Sequence, residues 1–427
     1  MKKLIVLFIL LAVFSFSFAA GTNPDNFIAV KAGKIVTVSG PLVNNGTILI
    51  KGDKIQQLGS DINIPPGYKI YEYSDGVVYP GLINSMTTLG ISGISSINQW
   101  SDYEEKGKFN PQLSAFSAFY PWSNLIPNTR DFGTLIALSA PTGGIISGKA
   151  LLVSLHGWTP GDMFIKKEVA LMIKLPEPPE PTRRRRPTLP DTSEKDKTEL
   201  HQFINGAHKY YLRSGKSHKT SNSNDFNPKF AAMKPIWEKH LPVIISAESE
   251  KNIRFALHLG KEFNLNVILY NVYDGEKVLK EIKASGYPVI LGAMYTRSKD
   301  WEDGCDIVFR LPALLAGEGI LFAFATGSRS AAAFDLPLHA GRAAAYGLSP
   351  DDALKALTLY PAKIFAIEEY GSIEPGKIAD LVIANGNILE TSTVVKDVFI
   401  KGKKITAKSF FQKEFQRARD KISGETR

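Results

Sequence analysis

Apolar and polar positions follow one rhythm at the two ends of this chain and another in between. Near the ends, ILIKGDKI (Ile48 to Ile55) and VFIKGKKI (Val398 to Ile405) are apolar runs joined across a Lys-Gly turn. Each predicts a tight β-hairpin, because glycine supplies the positive φ that such turns need. The neighbouring FIAVKAGKIVTV and ADLVIANG also read as strand. Residues 20–80 and 368–407 are therefore expected to be two halves of one small composite β-sandwich, interrupted by everything between them.

Residues 81–367 alternate instead between short apolar runs and helical periodicity. LPVIISAES (241–249) precedes the helical EKNIRFALHLGKEFN (250–264), and LNVILYNVYD (265–274) precedes the helical GEKVLKEIKASG (275–286). YPVILGAMY (287–295), CDIVFRLP (305–312) and GILFAFATGS (319–328) read as further strands. Strands alternating with helices at this spacing predict an α/β fold of parallel units, and the length fits a TIM-like (β/α)8 barrel. Ser349-Pro350-Asp351-Asp352 is a helix start, with Ser349 as N-cap and Pro350 in the first turn.

Two segments break the alternation. Leu175 to Glu199 is proline-rich and densely charged, without apolar periodicity, and predicts a disordered surface insert. Ser214 to Asp225 predicts a second polar loop. The tail, 408–427, reads as a charged amphipathic helix, exposed or packed on a neighbouring subunit.

Composition changes this picture at three points. Lys2 and Lys3 precede the apolar run Leu4 to Phe18, with small residues at Ser17 and Ala19, which predicts a cleaved signal peptide over residues 1–19 and an exported protein, periplasmic or extracellular. No later stretch is apolar and long enough to span a bilayer, so no membrane association is expected after cleavage. The formal net charge of +9 owes four cations to Arg183 to Arg186 alone, so a basic loop explains it better than a nucleic-acid footprint. Finally, the single Cys305 cannot form an intramolecular disulfide, and the fold must rest on its core.

Certain phrases carry a family resemblance. GVVYPGLINSMTTLG resembles the PGLID-x-H-x-H-x-G phrase of the amidohydrolase superfamily, and Gly347 to Asn387 resembles that superfamily's C-terminal signature over its whole length. GGIISGKALLVSLHGWTPGDM (143–163) is similar to a secreted branch near imidazolonepropionase-type enzymes. The resemblance implies a barrel inserted into the composite β-sandwich. It also implies one or two metal ions that activate water against a carbonyl carbon, held by side chains at the C-terminal ends of barrel strands.

Carried across, the family's ligand positions fall on Met86 and Thr88 after the first strand, Ser246 after the fifth, Asn271 after the sixth and Gly327 after the last. None supplies an imidazole or a carboxylate, and no H-x-H or H-E-x-x-H occurs. His156, Glu248, Asp274 and Arg329 remain as polar residues that could face the pocket, with helix capping the plainer role for the two carboxylates. Lys149 is expected at the surface. No cofactor or metal is expected. The leading expectation is a non-catalytic binding or assembly subunit, forming a homo-oligomer or pairing with a related amidohydrolase, with an unidentified small-molecule ligand. The alternative is a remodelled hydrolase acting on a cyclic amide or peptide-like C–N bond, since activity depends on the site rather than the scaffold.

Overall fold

The computed structural model describes residues 27–92, 102–179, 190–216, 226–295, 304, 306–406 and 408–423. Residues 1–26 (which include the expected signal peptide), Arg183 to Arg186, residues 217–225 and Cys305 lie outside the described residues.

Both chain ends enter one seven-stranded sheet. Strands β1 (Phe27–Ile35), β2 (Val43–Lys51), β3 (Lys54–Gly59) and β4 (Lys69–Pro80) come from the first part of the chain. Strands β13 (Leu381–Ala384), β14 (Val395–Ile400) and β15 (Lys403–Ile405) come from the last. The order is β15-β14-β13-β4-β1-β2-β3, with β13 running antiparallel to β4. The expected sandwich is thus one continuous sheet, curled so that its two edge hairpins meet. Gly402, in the β14–β15 turn, has φ +75°, and a Cβ there would stand 2.3 Å from the carbonyl oxygen of Gly52 in the β2–β3 turn. Ile28, Val30, Ile48, Ile50, Leu381 and Phe399 fill the curl.

The middle of the chain forms an eight-stranded barrel, with strands β5 (Leu82–Thr87), β6 (Thr134–Ser139), β7 (Ile146–Ser154), β8 (Phe164–Lys174), β9 (Val243–Ser246), β10 (Val267–Tyr270), β11 (Val289–Leu291) and β12 (Phe322–Phe324) adjacent in sequence order. A parallel bridge between Thr87 and Gly327 links the two edges, supported by the Gly327 amide donating to the Met86 carbonyl. One feature departs from a regular (β/α)8 barrel. β7 runs antiparallel to both β6 and β8, because the 140–145 connection is too short for a crossover helix. The other seven strands are mutually parallel.

Three local expectations are corrected. Residues 305–312 were expected as strand, but Ile307–Gly317 is a helix, burying Ile307, Leu311 and Leu315 at four-residue spacing. The eight-residue window held too little of that period to reveal it. Ser193–Lys216 is one helix, so residues 193–199, expected within a disordered insert, and 214–216, expected within a polar loop, are helical. Lys108 meets Asp196 and Glu199 at 2.7 Å, anchoring that helix to the loop before the barrel's second strand.

Candidate functional site at the barrel mouth

The site is set by strand register. Met172 pairs with Ile244, and Ile244 with Ile268, forming an apolar row inside the barrel. Two residues further along each strand, Lys174 pairs with Ser246 and Ser246 with Tyr270. Side chains two apart share a face, so this second row also points inward, at the C-terminal ends of the strands. There the barrel opens into a cavity of about 190 Å³, whose lining includes Met86, Met172, Lys174, Ser246, Tyr270 and Asn271. Glu104, from the loop that packs against Gly143, and Glu248 stand at its rim.

The closing seam beside the cavity is held by polar side chains. Buried Asn84 donates to Thr326 Oγ1 at 2.8 Å and accepts from the Thr326 amide at 3.2 Å, clipping β5 to the exit of β12. Thr88, fully buried, donates its hydroxyl to the Ser328 carbonyl at 2.6 Å. Asn271 has φ +57° and donates its side-chain amide to Glu248 Oε1 at 2.8 Å. Gly327 has φ +77°, and a Cβ built there would lie 3.5 Å from the Tyr270 hydroxyl.

The sequence-derived positions separate cleanly. Met86, Ser246, Asn271 and Glu248 line the cavity, while Thr88 and Gly327 lie directly behind it in the seam. His156, Asp274 and Arg329 do not line it. His156 follows β7, and the reversal of that strand carries it to the opposite end of the barrel, where partial burial and the nearby Arg130 and Lys403 lower its pKa. Asp274 accepts from the Glu250 amide at 3.0 Å and pairs with Lys277 at 2.9 Å, so it caps the helix Glu250–Glu262. Glu177 caps the same helix by accepting from the amides of Glu248 and Ser249, each at 3.1 Å. Arg329 is exposed on the loop beyond. Lys149, expected at the surface, is buried and ion-paired with Glu168 at 3.0 Å.

Sequence reading passed over Lys174 and Tyr270. The signal for Lys174 was its place two residues beyond Met172 and four beyond Ala170, a charge closing an inward-facing alternation.

Residues 303–405 match the family model described as Amidohydrolase family. An amidohydrolase from Thermotoga maritima MSB8 superposes with a TM-score of 0.81 at 22% identity, covering 89% of this chain and 100% of that one. The chain carries this family's sequence pattern over residues 303–405 and shares the fold of the amidohydrolase from Thermotoga maritima. More distant structures share the architecture. A prolidase complexed with N-methylphosphonate-L-proline has a TM-score of 0.54 at 13% identity, with 89% of this chain and 99% of that chain covered. Molinate hydrolase has a TM-score of 0.52 at 13% identity, with 89% and 95% covered. No curated protein matches the chain in sequence.

The superfamily's metal chemistry is tested by the donors present. The five ligand positions offer a thioether, two hydroxyls, one amide and a glycine. The Thr88 hydroxyl is spent on a backbone carbonyl, and the amide on Glu248. Among the described residues, no three His, Cys, Asp or Glu side chains group closely enough to hold an ion. Lys174 adds an ammonium to the same cavity, which repels a dication. A hard or borderline divalent ion needs carboxylates, imidazoles or thiolates, and this donor set does not fit one.

Proposed function

We propose that this protein is an exported binding protein, whose barrel mouth holds a small molecule without metal-assisted hydrolysis. The observation that carries the reading is the chemistry of Met86, Thr88, Ser246, Asn271 and Gly327, all gathered at or beside one cavity. The scaffold supports the cavity independently of any ion, through the Asn84–Thr326 clip and the Thr88–Ser328 bond. Export rests on the Lys2-Lys3 start and the apolar run after it.

An assembly role belongs to the same reading. The helix Phe410–Ser423 buries none of its residues, and Phe411, Phe415 and Ile422 form an exposed stripe along it. This stripe supports association with a second copy.

The test is a hydrolysis assay on a panel of amides and N-acyl amino acids, with zinc or manganese added and with chelator. The proposal expects no metal-dependent turnover. Turnover that appears with metal and disappears with chelator would establish the remodelled hydrolase in its place.

A further inference from the structure

Two hydroxyls at the mouth have no hydrogen-bond partner among the described residues, although the side chains carrying them are more than nine-tenths buried. Ser246 is 9% exposed and Tyr270 is 8% exposed, and both line the cavity. These two hydroxyls are thus donors presented to whatever enters the cavity. Burial raises the Tyr270 pKa, which keeps its phenol protonated as a donor.

Their neighbour completes a receptor. Lys174, Ser246 and Tyr270 are consecutive partners across three adjacent parallel strands, which lie roughly 4.8 Å apart. One ammonium and two hydroxyls in a row match a carboxylate, with two acceptor oxygens and one negative charge. The carboxylates of Glu104 and Glu248 line the same cavity, the second holding the Asn271 amide, and Met86 and Met172 add apolar lining. The volume, 190 Å³, is below the roughly 300–1,000 Å³ of drug-sized sites and suits a molecule of amino-acid size.

We infer that the barrel mouth binds a free α-amino acid with an apolar side chain. Its carboxylate meets Lys174, Ser246 and Tyr270, its ammonium faces Glu104 and Glu248, and its side chain lies on Met86 and Met172. The inference rests on the metal-free binding reading above and adds the ligand class to it.

Calorimetric titration of the chelator-treated full protein tests it, using L-leucine, N-acetyl-L-leucine and L-leucinamide. L-Leucine is expected to bind, and each of the other two, lacking one charge, to bind at least about tenfold more weakly. Lys174→Met and Tyr270→Phe are each expected to weaken L-leucine binding, the first by about tenfold or more, with unchanged circular dichroism. Equal binding of N-acetyl-L-leucine, or an unaffected Lys174→Met variant, would overturn the inference. If none of the three binds and the protein stays metal-free, the ligand class falls while the metal-free reading stands. If binding appears only with added zinc, both fall.

Discussion

The junction between barrel and sheet and the mouth of the barrel both carry polar residues, yet these do different work. At the junction the backbone and one carboxylate oxygen of Asp380 hold separate parts of the fold together. Buried Asp380 accepts from the Lys401 amide at 2.7 Å, its own carbonyl takes the Gly81 amide at 2.8 Å, and Ser349 caps the helix Pro350–Leu357. At the mouth, Ser246 and Tyr270 hold nothing, and the positions where the resemblance implies metal ligands carry residues that cannot grip an ion. The family match spans 303–405, which includes Ser349, Asp380 and Lys401 of the junction and Gly327 of the seam. A scaffold is specified by packing and satisfied hydrogen bonds, whereas a site is specified by a few side chains that packing does not require.

This contrast can be broken by substitution. The largest effect is expected from Phe399→Ala, which empties the fully buried centre of the curled sheet and should cost about 3–5 kcal/mol in denaturant unfolding.

Next come two buried titrating groups of opposite sign. Desolvation pushes the Asp380 carboxyl up to about 7, and its Oδ2 has no partner among the described residues. The unfolded chain therefore releases this proton at lower pH than the folded protein does. The contribution of Asp380 to stability falls as pH rises from about 4 to 7, then levels off, a loss of a few kcal/mol at roughly 1.4 kcal/mol per unit. His339 behaves in reverse. Burial lowers its pKa to about 4, and its Nδ1 accepts from the Met294 amide. Its contribution is present above about 6.5 and is lost as pH falls towards 4. Over the shared window the two slopes oppose each other. Asp380→Asn should therefore raise stability at pH 8 and uncover the His339 slope, as read from urea midpoints across pH. An unchanged pH profile in that variant would show that Asp380 does not titrate as its burial dictates.

Smaller effects follow. Ser349→Ala removes an N-cap and should cost about 1 kcal/mol. Ser246→Ala at the mouth should change stability by less than about 0.5 kcal/mol, because no bond is lost. A large loss there would erase the distinction between the two regions.

Much of this was legible in the chain. The two Lys-Gly turns announced hairpins, and they meet where Gly402 comes up to the Gly52 carbonyl, an approach that a Cβ at 402 would block. The strands around Ile244, Ile268 and Phe322 were visible as short apolar runs. The reversal of β7 was not, because an apolar run carries no direction; the short 140–145 connection was its cue. That reversal is why His156 was misplaced. Lys174 was hidden because its meaning depends on register with Ser246 and Tyr270, a relation between strands far apart in sequence. The absence of imidazole from the ligand positions needed only the sequence, but their gathering at one cavity required the fold.

The central claim is that the mouth cannot hold a catalytic ion. Elemental analysis of the purified protein, equilibrated with equimolar zinc or manganese and then dialysed, tests it most directly. The account predicts well under one ion per chain. One ion per chain surviving dialysis, and lost on Ser246→Ala or Glu248→Gln, would contradict it.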